Sequence, residues 1–260
     1  MKRREFLGVT CLAAMGPVRR VSGGEGKADK PQREYYELKR YRLKSADKQK
    51  LVLDYFRGAA IPALNRIGIA RVGVFKMLEG GSFDLYVLLV HNSLESVVAA
   101  SGLIWSDAEY RKAAESFLNS PKSDAIYERI ESSLMLAFEA IPKLEIPTTA
   151  ASRIFQLRTY ESHNSLAARK KIEMFNTGGE IAIFRRTGLN PVFFGESIIG
   201  SKLPNLTYML GFEGIEKKDE SWNKFLEHPE WKKLNSNPYY KDTVSNIANI
   251  LLRPASCSQI

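Results

Sequence analysis

The chain repeats itself at a spacing of about 120 residues, a period too long for a solenoid unit and right for two complete small domains. Tyr36-Glu37-Leu38-Lys39-Arg40-Tyr41 returns as Phe155-Gln156-Leu157-Arg158-Thr159-Tyr160, Leu64 to Ile69 returns as Phe184 to Leu189, and Asp84 to Leu89 returns as Asn205 to Leu210. These offsets of 119, 120 and 121 leave the connections between matching elements nearly equal in length, so both copies share one topology. A chain built of two like domains can pair with itself.

The first residues stand apart from this pattern. Lys2-Arg3-Arg4-Glu5-Phe6-Leu7 followed by the apolar run Gly8 to Met15 has the layout of an export signal, and Arg3-Arg4 ahead of Phe6-Leu7 resembles the bacterial twin-arginine type. The run is too short to span a bilayer, which takes roughly 20 residues. Residues 1–23 are therefore expected to be a removable signal directing the protein to the periplasm or the exterior, with no membrane span after processing. Its loss would take five basic residues and Glu5 from a net charge of +9, leaving about +5. The remaining basic residues form no stripe interleaved with stacking aromatics, so no nucleic-acid partner is expected. With Cys11 gone, Cys257 stands alone and no internal disulfide is expected.

Residues 24–33 read as a flexible lead-in, 34–140 as the first domain, 141–151 as a linker through Ile141-Pro142 and Pro147-Thr148-Thr149, 152–253 as the second domain, and 254–260 as a tail. Within the first domain, alternation predicts a strand at 35–41, a helical segment over 46–67 interrupted by Pro62, strands at 70–75 and 85–90, helices from 94 to 128, and a strand at 133–138. The second domain predicts the same order, with strands at 154–160, 192–195, 206–212 and 247–252 and helices over 165–187, 217–234 and 239–244. Gly68 and Gly188 sit where helices end, and Gly58 and Gly178-Gly179 mark a bend in the first helix of each copy. Each half is β-α-β-β-α-β, a ferredoxin-like α+β pattern. Such a sheet carries helices on one face and must bury the other, and the second copy is the available partner, giving an intrachain dimeric α/β barrel by face-to-face packing of the two sheets.

Strand parity then proposes a site. Tyr36 with Leu38 and Phe155 with Leu157 form the more apolar set, taken to face the helices, which turns Glu37, Lys39, Tyr41, Gln156, Arg158 and Tyr160 inward between the sheets. Tyr86 and Leu88, with Thr207 and Met209, are expected to face the same interior. A polar set aimed into an enclosure needs partners or a ligand, and Glu37, Lys39, Tyr41, Gln156, Arg158, Tyr160 and Tyr86 are the candidate binding residues, alternatively a set satisfied by mutual polar contacts. The histidines yield no metal site: His91 reads as a strand end outside the barrel, His163 as part of a helix-capping turn, and His228 as a cap before Pro229. No nucleophile elbow, phosphate cradle or cofactor signature is present, and no cofactor is expected.

At Phe155 to Tyr160, together with Gly188-Leu189-Asn190-Pro191-Val192-Phe193 and His228-Pro229-Glu230-Trp231-Lys232, the second half resembles the NIPSNAP family. The first half is similar as a more diverged copy, keeping Tyr36 to Tyr41 but lacking the proline before Glu109-Tyr110. The resemblance implies a dimeric α/β barrel related in architecture to small monooxygenases, stress-responsive barrel proteins and haem-degrading enzymes, and it carries no catalytic residues with it. Three readings follow: a binder of a small polar or anionic organic ligand between the sheets, a cofactor-free or haem-dependent monooxygenase in the same cavity, or a non-enzymatic protein that binds partners through its outer helices. Association beyond the intrachain pair is compatible with each.

Overall fold

The computed structural model describes residues 31–260; the expected export signal, Cys11 and most of the lead-in lie outside the described residues. In the first repeat, β1 (Tyr35–Arg42) leads to α1 (Ala46–Tyr55), capped by the Ser45 hydroxyl, which accepts from the Lys48 amide at 3.3 Å. One wide π turn, Phe56–Ala60, carries α1 into α2 (Ile61–Arg66). Pro62 has no N–H to give and crowds the preceding turn, and the wide turn lets the helical path run through it. There follow β2 (Val72–Met77), β3 (Leu85–His91), α3 (Leu94–Ser106), α4 (Ala108–Ala113), α5 (Glu115–Leu118) and β4 (Arg129–Ala137).

The second repeat runs β5 (Ile154–Glu161), α6 (Ser165–Phe175), α7 (Glu180–Thr187), β6 (Asn190–Ile199), β7 (Asn205–Phe212), α8 (Ile215–Glu227), α9 (Pro229–Asn235) and β8 (Asn246–Pro254). Where the first copy widens a turn, the second breaks between α6 and α7, with Gly179 in the left-handed region at φ 88°. Gly68 and Gly188 also have positive φ, at 89° and 86°, and terminate their helices as their place in the sequence predicts. The helix expected over 239–244 is instead a single 3-10 turn, Pro238–Tyr240, because the chain turns out again at Asp242, φ 55°.

The strands form one closed barrel in the order β1-β3-β2-β8-β5-β7-β6-β4. Each repeat supplies an antiparallel block of four strands, and the blocks join edge to edge: β2 pairs with β8 (Phe75 opposite Pro254, Met77 opposite Leu252) and β4 with β6 (Met135 opposite Ser197, Ala137 opposite Gly195). The expected intrachain barrel is thus formed, and its two sheets are joined as well by edge strands that hydrogen-bond across the repeats, so that closure leaves no unpaired edge. The chain after each last strand continues along the partner repeat. Phe138 and Glu145 donate to Phe194 and Val192 carbonyls, while Ala255 and Gln259 donate to those of Val74 and Val72, all at 2.8–2.9 Å. Leu144 and Ile260 send their side chains into the barrel core from these two segments.

That core is packed with apolar side chains, among them Tyr36, Phe75, Leu88, Met135, Phe155, Leu157, Phe193 and Met209. Two aromatic contacts couple the repeats through it, Tyr36 with Phe193 at 4.9 Å and Phe75 with Phe155 at 5.1 Å between centroids. The parity expected for the first strands is therefore inverted. Leu38 stands opposite Leu88 and Leu157 opposite Met209, so Tyr36, Leu38, Phe155 and Leu157 face the interior with Tyr86, Leu88 and Met209, as expected for that second group. Glu37, Lys39, Tyr41, Gln156, Arg158 and Tyr160 face outward, beneath the helices. The physical reason is that the middle of the barrel interior is closed to water and filled with apolar side chains, whereas the sheet–helix layer opens to solvent at its ends and tolerates charge. Because both repeats share this core, Phe193→Ala in the second is expected to cost about 3–5 kcal/mol in urea unfolding and to lower hydrogen-exchange protection of β1 in the first.

Candidate functional site

The outward turn of these polar residues places them in two clefts at equivalent positions, one in each repeat, between the strands and the helices that cover them. In the first, Glu37, Lys39 and Tyr41 of β1 form a floor beneath Phe56, Ala100, Ile104, Trp105 and Tyr110, enclosing about 240 Å³. Lys39 Nζ lies 3.1 Å from Glu37 Oε1, which also accepts from Ser132 Oγ at 3.1 Å. His91, 1% exposed, stands behind them: Nδ1 is 3.0 Å from Ser96 Oγ, and Nε2 is 3.7 Å from Glu37 Oε2, within ion-pair reach but too long for a hydrogen bond. Burial works to raise the Glu37 carboxyl, but His91, Lys39 and Ser132 together outweigh it and hold it below the ordinary carboxylate range.

In the second repeat, Arg158 and Tyr160 of β5 line a cleft of about 450 Å³ with Lys171 and Glu180 of α6 and α7, Phe184, and the indoles Trp222 and Trp231 of α8 and α9. The position of Glu37 is taken by Gln156, whose Oε1 accepts from Trp222 Nε1 at 2.6 Å and whose Nε2 donates to Asn249 Oδ1 at 2.9 Å. Arg158 thereby has no carboxylate in ion-pair contact, and Glu180, paired with Lys171, acts on it only from farther off. Its guanidinium lies 4.8 Å from the Trp222 ring and 5.4 Å from the Tyr160 ring, donates to the Tyr160 hydroxyl at 3.2 Å, and keeps an enclosed Nε with no hydrogen-bond partner among the described residues. Tyr208, on the same face, donates to the Tyr160 hydroxyl at 3.0 Å. Burial raises the Tyr208 phenol well above its ordinary value, so it stays protonated.

Lys171 and Glu180 form an ion pair at 2.7 Å and are 5% and 2% exposed. Desolvation raises the Glu180 carboxyl above the ordinary range against the pull of Lys171. At the equivalent places the first repeat has Val52 and Ala60, so the fold does not need this pair.

The seven sequence-predicted residues thus divide among three places: Glu37, Lys39 and Tyr41 in the first cleft, Arg158 and Tyr160 in the second with Gln156 behind Trp222, and Tyr86 in the barrel core. Sequence reasoning missed Lys171, Glu180, Trp222 and Trp231, which come from helices. The contrast of Glu37-x-Lys39 with Gln156-x-Arg158 was the available signal. His228 caps α9 by accepting from the Glu230 amide at 3.3 Å, and Asn164, beside His163, caps α6. No histidine lines either cleft, so neither offers an imidazole to a haem iron. Among the described residues no group of three or more His, Cys, Asp and Glu is placed to hold a metal ion, and no helix is long and apolar enough to cross a membrane.

A family model described as NIPSNAP matches residues 36–140 and 155–259. No curated protein matches the chain. Among solved structures, a protein from Fusobacterium nucleatum provisionally named a monooxygenase is similar over 86% of this chain and 93% of its own, at 8% identity and a TM-score of 0.56. Another so named, from Lactobacillus acidophilus, covers 85% of this chain and 94% of its own, at 10% identity and a TM-score of 0.55. An uncharacterised NIPSNAP-like domain protein from Burkholderia xenovorans is 24% identical over 42% of this chain and 90% of its own, with a TM-score of 0.38. The two full-length likenesses show a shared fold.

The carboxyls on the two floors predict opposite pH slopes. Glu37, depressed on folding, contributes stability that is present above the unfolded value of about 4.3 and lost as pH falls through its folded value. Glu180, raised on folding, contributes stability that is present below about 4.3 and lost as pH rises through its folded value. Urea midpoints measured from about pH 3 to pH 7 should show Glu37→Gln losing more against the parent at neutral than at acid pH, and Glu180→Gln gaining on it as pH rises.

Proposed function

This chain belongs to the NIPSNAP family, and from that premise we propose that it binds a small organic acid in the sheet–helix cleft of its second repeat. One observation carries the reading: Arg158 is a guanidinium set among aromatic rings with no carboxylate to meet it. Around the cleft, Arg158, Lys171 and Lys241 bring three positive charges against the two negative charges of Glu180 and Asp242. One anionic group on a ligand balances them. Trp222, Trp231, Phe184 and Tyr160 supply the apolar wall, and a volume of about 450 Å³ lies within the span of small-molecule sites. An arginine suits this task, since its fork meets a carboxylate or sulfonate with paired hydrogen bonds and never loses its charge.

The ligand site expected between the sheets moves to this cleft because the barrel interior is filled by side chains. The monooxygenase alternative draws on likeness of fold alone and adds no residue to this reading. Export through a twin-arginine type signal at residues 1–23 completes the proposal and would place the binder outside the cytoplasm.

The test uses naphthalene-2-sulfonate, with uncharged 2-methylnaphthalene as the control, followed by thermal shift and calorimetry. The sulfonate should raise the melting temperature, and Arg158→Met should weaken its binding by about ten- to a hundredfold. Gln156→Glu, which restores the first repeat's acid beside the cation, should weaken it comparably, while Lys39→Met should leave it unchanged. Equal binding by Arg158→Met and the parent would overturn the reading.

A further inference from the structure

The first repeat's cleft differs from the second in one chemical respect that decides what it can hold: its charges are already matched. Glu37 and Lys39 face each other at 3.1 Å, and the places of Lys171 and Glu180 are taken by Val52 and Ala60. A net charge on a ligand would find no counterpart there and would lose its hydration on entry.

Tyr41 marks the cleft as a site. Its side chain is 7% exposed and lines the cavity, and its hydroxyl has no hydrogen-bond partner among the described residues. The repeat-equivalent Tyr160 hydroxyl, by contrast, is bonded by both Arg158 and Tyr208, and the residue at the Tyr208 position here is Val87, which offers no hydroxyl. The other two phenols of the cleft, Tyr55 and Tyr110, satisfy each other at 2.9 Å. Burial holds the Tyr41 phenol protonated, so it is a standing donor. That hydroxyl opens into the cleft instead of being sealed in protein, so an acceptor atom on a ligand can take the place of water there. The roof also differs. Where α8 presents Trp222 over the second floor, α3 presents Ser101, leaving the space above Lys39 to be walled by Phe56, Ile104 and Trp105.

We infer that the first repeat carries a second binding site, chemically distinct from the cleft at Arg158, for an uncharged ring-sized organic molecule whose carbonyl or ether oxygen accepts from Tyr41. The body of the molecule lies against Phe56, Ile104 and Trp105, and the Glu37–Lys39 pair stays closed beneath it. The inference stands independently of the Arg158 reading, since it uses none of the same residues. The two repeats, alike in fold, then divide two ligand classes between them.

The probe is acetophenone, titrated into the full chain with ¹³C-labelled isoleucine and leucine methyl groups, and benzoate serves as its charged counterpart. Acetophenone should shift the Leu64 and Ile104 methyl signals saturably, and benzoate should bind that cleft at least about tenfold more weakly. Tyr41→Phe, which keeps the ring and its packing against Phe56, should weaken acetophenone about three- to tenfold. Ser101→Trp changes an exposed position to the residue of the other repeat and should block binding with the melting temperature retained. Unchanged affinity in Tyr41→Phe, shifts confined to the second repeat, equal binding of benzoate, or the lack of any saturable shift would each overturn the inference.

Discussion

Backbone hydrogen bonds between edge strands of different repeats, β2 to β8 and β4 to β6, are the constraint on which the rest of this protein depends. They turn two open sheets into one closed ring, whose middle is filled with apolar side chains and closed to water. Polar groups that stay inside must then satisfy one another, as Thr159 and Thr207 do at 2.9 Å. Tyr36, Phe75, Phe155 and Phe193 fill it from both repeats, and the linker and tail lock it by running along the neighbouring repeat's β6 and β2. Glu34 reinforces the lock: 3% exposed, its carboxylate accepts from the Leu144 amide at 2.6 Å and from Arg71 at 2.5 Å.

Exclusion of charge from the barrel concentrates chemistry in the layer outside it. There the floor strands β1 and β5 carry the same alternation, acid or amide, then cation, then tyrosine, under helices that have diverged further. A single exchange, Glu37 for Gln156, changes a neutral floor into a cationic one, because it removes the carboxylate that would neutralise Arg158. The helices complete the difference: Trp222, Lys171 and Glu180 bring an indole and a buried ion pair to the second cleft, while Ser101, Val52 and Ala60 supply neither to the first. Duplication followed by change at a few floor and roof positions yields two unlike clefts without altering the frame that holds them.

Much of the frame was readable from the chain. The repeat, the β-α-β-β-α-β order, the helix-ending Gly68 and Gly188, and the capping roles around His228 all rest on local patterns, and local geometry honours them. Which face of β1 lies inside was a different kind of question. Tyr36-Glu37-Leu38-Lys39 alternates whichever way it is turned, and the answer came from its neighbour: Leu38 sits opposite Leu88, so the two must share a face. Assigning Glu37 and Tyr86 to the same interior breaks that register, a conflict visible only once the strands are paired. The cleft residues on α6 to α9 were hidden for a related reason, since helical spacing shows a buried stripe but not what polar group on a strand it covers.

The amino-acid sequence by itself determined the two-fold plan, the family and the alternation that separates polar from apolar on each strand, because these depend on residues near one another along the chain. Only the tertiary structure decided which of the two faces became the barrel's inside, that the sheets join through their edges, and that Arg158 is left without an acid while Lys39 is not. Those outcomes depend on cross-strand register and on closure around a dry interior, and no run of neighbouring residues encodes them alone.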